Sequence, residues 1–102
     1  MKRKQHNRLI SQIYKILKSG DWIIKFKKSK HNYGQVDEKN HIIWIDQNVD
    51  ILSAIVHECL HIIDMNDKKK EGEISRTETS LMKNLAPIQA KRLLILSALI
   101  VR

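Results

Sequence analysis

Glycine, proline and cysteine are scarce in this chain, at three, one and one of 102 residues. Each scarcity excludes something. Neither a Gly-x-Gly-x-x-Gly run nor a Gly-Lys-Ser/Thr run occurs, so nucleotide binding by those phosphate-cradling loops is ruled out. The lone Cys59 has no partner for an internal disulfide. Stability must then come from packing, a bound metal or a partner chain, and a reducing, cytoplasmic setting is the expectation. No apolar run approaches the roughly 18 residues of a membrane span, and the lysine-bearing N-terminus lacks the apolar stretch of a signal peptide, so no membrane association is expected.

Apolar residues at 42% and charged residues at 29% are ordinary globular usage, and the length suits one domain over 1–102. The charge is uneven. Of the net +8, residues 1–30 hold ten Lys or Arg against the single acid Asp21, whereas residues 31–102 hold nine basic and ten acidic side chains. This local basic field can attract nucleic acid or an acidic protein face, or it can be a solvated surface.

Leu9, Ile10, Ile13, Ile16 and Leu17 recur at three and four, which predicts a basic amphipathic helix over about 6–18, ended by Ser19-Gly20. Residues 21–27 are rich in β-branched and aromatic side chains and read as a strand at a sheet edge. Residues 31–36 and 41–46 flank the polar stretch Asp37 to Asn40 as a β-hairpin. Asn48 or Asp50 can cap a buried central helix reaching about Met65. A charged loop follows, then a helix from about Glu73 to Asn84 and a last one opened by Pro87 and running through Val101. The expected fold class is therefore α+β, with about three strands packed on a central helix and a core over about 21–85. The final helix is apolar nearly all round, which suits burial in the core or docking onto a second copy or a partner.

Within the central helix stands His57-Glu58-Cys59-Leu60-His61, a His-Glu-x-x-His motif. Residues four apart on a helix lie one above the other, so the two imidazoles can converge on one ion, the expected cofactor being Zn2+. Glu58 lies beside that face, where a carboxylate can take a proton from a zinc-activated water and return it to a leaving amine. With five His and five Glu in the chain, such a motif arises by chance in about one or two sequences per hundred. An incidental polar pair is the competing explanation.

Glu78 is the first candidate for a third ligand, because it interrupts the apolar stripe Ile74, Leu81, Leu85 and a carboxylate there needs a cation opposite it. A salt bridge to Arg76 or Lys83 would serve equally. Glu71 lies on nearly the same stripe and ranks second; Glu73 faces elsewhere and ranks third. Asp64 is about 10 Å along the axis from His57, too far to share the ion, although it could orient His61. Cys59 is turned about 200° away from either His and reads as a small buried apolar residue. His31, Tyr33 and His41 belong to the hairpin and either face solvent or reach a cleft where they could stabilise an oxyanion.

The order hairpin, His57-Glu58-Cys59-Leu60-His61, then a helix bearing Glu78, resembles the zincin metallopeptidases, most closely the small Glu-type members related to the ImmA/IrrE and SprT-like groups of bacteria and phages. The similarity covers roughly residues 33–85. It implies a minimal zinc metallopeptidase with His57, His61 and Glu78 as ligands, Glu58 as general base, a protein or peptide as substrate, and His41 to Asp46 as a sheet edge that pairs with extended substrate. The alternative is a non-catalytic, zinc-stabilised module that binds nucleic acid or an acidic protein through residues 1–30. A homo-oligomer through the C-terminal helix is compatible with either.

Overall fold

A computed structural model describes residues 1–28, 34–65 and 70–102. Four helices and a three-stranded mixed sheet follow in the order α1 (Arg3–Lys18), β1 (Ile23–Lys27), β2 (Gly34–Asp37), β3 (Ile42–Asp46), α2 (Ile51–Ile63), α3 (Glu71–Lys83) and α4 (Pro87–Leu99), an α+β architecture. Among the described residues, no helix is long and apolar enough to cross a membrane.

α1 buries Ile10, Ile13 and Leu17, the three-and-four stripe that its sequence displays. It begins at Arg3, three residues before the expected start, and the added turn leads into His6, which is also buried and donates from Nε2 to Gln89 Oε1 of α4 at 3.1 Å. Periodicity of apolar residues does not register a buried histidine. Asp50 caps α2 by accepting a hydrogen bond from the Ser53 amide, and α2 buries Ala54, Ile55, Val56, Cys59 and Leu60 at the centre of the molecule. Together with Ile24, Ile43 and Ile45 of the sheet, and Ile74, Leu81 and Leu93 of the later helices, they make one core.

β2 and β3 form the expected antiparallel hairpin, in register Val36 with Ile43 and Gln35 with Trp44. The turn between them is held by Asp37, whose Oδ1 accepts from the Asn40 amide at 3.1 Å, and closes on His41 at φ 54°. His41 is therefore spent on the turn: its ring stacks on Trp22 at 4.5 Å and its Nδ1 donates to the Asp21 carbonyl. It is exposed and does not line the cleft formed by α2, α3 and β2. His31 and Tyr33 lie outside the described residues.

One expectation is overturned by the strand order β1-β3-β2. β3 is the central strand, paired in parallel with β1 on one side and antiparallel with β2 on the other. Its hydrogen-bonding groups are thus occupied, and His41 to Asp46 cannot be an edge that receives a peptide. Ile43 and Ile45 are completely buried, because they share the face of the sheet that packs on the core. The outer side of β1 is also engaged, since Ile24 exchanges backbone hydrogen bonds with Ile100 and Arg102. α4 accordingly stops at Leu99, and Val101 pairs with Ile24 in place of continuing the helix. The unpaired edge among the described strands is that of β2.

Candidate metal centre

The first two turns of α3 pack across the middle of α2, and the two helices share a cleft of about 970 Å³ with β2. His57, Glu58 and His61 enter it from α2, Glu71 and Glu78 from α3, and Gly34, Gln35 and Val36 line the side formed by the sheet edge.

The two histidines sit one helical turn apart, with ring centroids at 4.9 Å. Both turn Nε2 toward Glu71: His61 Nε2 is 2.9 Å from Glu71 Oε2, and His57 Nε2 makes a close pair with Glu71 Oε1. His57 Nδ1 points the other way and lies 2.6 Å from Glu78 Oε1. Glu78 in turn accepts a 2.5 Å hydrogen bond from the Ser53 hydroxyl in the first turn of α2. So Glu78 occupies the back of His57, and Glu71 its front. Glu73 is exposed, and Asp64 stands at the C-cap of α2 on the rim of the cleft.

His57, His61 and Glu71 each offer a donor atom, and the three atoms lie within 4.8 Å of one another, a group able to hold a metal ion. The chemistry of the surroundings fits a divalent cation. Three carboxyl groups, from Glu58, Glu71 and Glu78, crowd two imidazoles, a set of oxygen and nitrogen donors that a divalent cation would bring together. A carboxylate behind a ligating histidine fixes the tautomer that exposes the opposite nitrogen, which is the relation of Glu78 to His57. Without a cation, the charged form of His57 is favoured more than in a free imidazole. Burial alone would lower its pKa, but the hydrogen bond to Glu78 and the charges of Glu58 and Glu71 outweigh that and raise it above the ordinary histidine value.

Glu58 is 5% exposed, and burial pushes its carboxyl up from 4.5 to about 7, with the charge of His57 opposing the shift and Glu71 and Glu78 adding to it. Cys59, adjacent in sequence, faces the core on the other side of α2 and is fully buried. Gly34 leaves the room that Glu58 needs. A Cβ at that position would lie 2.6 Å from the Trp44 carbonyl oxygen and 3.0 Å from Glu58 Oε2. Substituting Gly34→Ala should therefore destabilise the fold by about 1–3 kcal/mol in urea titration and displace the carboxylate. An unchanged unfolding midpoint would show that β2 shifts freely.

Protonation of Glu58 makes the stability of the metal-free chain depend on pH. The folded carboxyl holds its proton up to about 7 while the unfolded one releases it near 4.5, so the contribution is fully present below 4.5 and is lost as pH rises through 7. The raised pKa of His57 acts in the same direction. Chelator-treated protein should lose on the order of 3 kcal/mol between pH 4.5 and 8, and Glu58→Gln should remove most of that slope. A flat profile in the parent chain would contradict it.

Ser53 and Gly34 carry no signal that a sequence reading could use, since a serine in a first helical turn and a glycine in a strand each have common local explanations. Comparison with protein-family models, with curated proteins and with solved structures returns no match.

Proposed function

We propose that the chain is a zinc-dependent metallopeptidase of zincin-like fold, in which His57, His61 and Glu71 hold the ion and Glu78 orients His57. Convergence of both Nε2 atoms on the Glu71 carboxylate, beside a buried Glu58, carries this reading. A zinc ion held by these groups supplies a Lewis acid that lowers the pKa of water toward neutrality and polarises a carbonyl oxygen.

The remaining steps belong to the chain. Glu58 stands buried beside the two imidazoles, where its carboxylate would accept the proton of the attacking water and donate it to the departing amine. β2 offers the substrate a strand edge beside the cleft, where backbone amides and carbonyls of an extended peptide can add to the sheet. His57 is held in one orientation by Glu78, and Glu78 by Ser53.

Metal analysis of purified protein, paired with cleavage of an unfolded protein substrate, tests the proposal. About one zinc per chain with zinc-dependent cleavage is the expected outcome, and absence of bound zinc after reconstitution refutes it. The two carboxylates also separate. Glu71→Ala should abolish tight binding because it removes a ligand, whereas Glu78→Ala should weaken zinc affinity by about 10–100-fold, the range for a group that acts behind a ligand. Equal affinities in parent and Glu71→Ala would transfer the ligand role to Glu78.

A further inference from the structure

α4 buries Leu93 and Ser97 against the core, yet on its opposite side Ile88, Ile95 and Leu99 are 63%, 51% and 67% exposed. With Arg92 they recur at four, three and four, the spacing by which one helix receives another. α1 lies alongside, with the Arg92 guanidinium 5.5 Å over the Tyr14 ring, and between the helices runs a groove of about 290 Å³ that reaches Lys18, Lys91 and Leu96.

The charge of this face has one sign. α1 carries Arg3, Lys4, Arg8, Lys15 and Lys18, α4 carries Lys91 and Arg92, and neither helix contains an Asp or Glu. A second copy would set these cations against their own like, at a cost that apolar contact must overcome. Nucleic acid would satisfy the charge but leave Ile95 and Leu99 facing phosphates. A bilayer would make no use of a groove. An amphipathic helix with carboxylates flanking its apolar stripe satisfies the spacing, the groove and the charge together.

We propose that the α1–α4 groove is a docking site for an acidic amphipathic helix of a partner protein. Its place on the molecule is separate from the cleft between α2 and α3, so it stands independently of the peptidase reading.

The test uses a fluorescein-labelled synthetic helix with Leu at its heptad a and d positions and Glu at e and g, titrated with the full chain and followed by anisotropy. The acidic peptide should bind, more weakly as salt is added, and its counterpart with Lys for Glu should not. Both Ile95→Glu/Leu99→Glu and Lys18→Glu/Lys91→Glu should lower the affinity by about tenfold or more with an unchanged melting temperature, since all four side chains are exposed. No binding of the acidic peptide, or binding by both variants as tight as that of the parent chain, overturns the proposal. So does a stronger association with phosphatidylserine vesicles, duplex DNA or a second copy that the same substitutions abolish.

Discussion

Glu58→Gln should reduce peptide hydrolysis by at least about a hundredfold while zinc content stays at the parent level, because positioned proton transfer contributes about 10²–10⁴-fold. The substitution isolates the proton. Glutamine keeps the size and the hydrogen-bonding oxygen of the side chain but can neither accept a proton from water nor pass one on. The buried setting that raises the Glu58 pKa disfavours a charge there, so a neutral amide should not disturb packing and should stabilise the metal-free fold above neutral pH. Loss of activity with a firmer fold is a combination that simple disruption cannot produce. Retained hydrolysis in Glu58→Gln would remove the residue from the reaction.

Replacing both His57 and His61 by Ala should bring zinc content from about one per chain to none, the largest effect on binding that the site allows. Both rings are only partly buried, with side chains 16% and 31% exposed, so their removal leaves the core of α2 intact. Ile55, Val56, Cys59 and Leu60 still anchor the helix in the core. The double variant should therefore keep its helical circular dichroism while losing the metal. Elemental analysis with a spectrum on the same sample checks both halves, and zinc retained by a folded double variant would locate the ion elsewhere.

Much of this architecture is legible in the chain because the relevant interactions are local. The apolar spacing of α1, the Asp50 cap and the i, i+4 histidines of α2, and the Asp37 turn all operate within a few residues. What is not legible depends on distant segments. Nothing near residues 42–46 announces that β1 pairs with them in parallel, so a strand that the zincin resemblance puts at an edge becomes the centre of the sheet. The carboxylates pose a related problem. Glu71 and Glu78 are seven residues apart, two turns on nearly one stripe, and periodicity cannot distinguish which faces the front of His57. That is decided by where α3 crosses α2. The crossing sets Glu71 at the Nε2 atoms and Glu78 at Nδ1, where Ser53 meets it.

The burial of Cys59 has a consequence for how the molecule can be watched. Its thiol is fully enclosed and pushed up to about 12, so the reactive thiolate is nearly absent in the closed fold. An alkylating reagent can reach it only when the core around α2 opens. This cysteine, alone in the sequence, is thus a built-in clock for opening of the helix that carries His57 and His61. Any ligand that holds those two rings in the closed fold slows the clock in proportion to its grip.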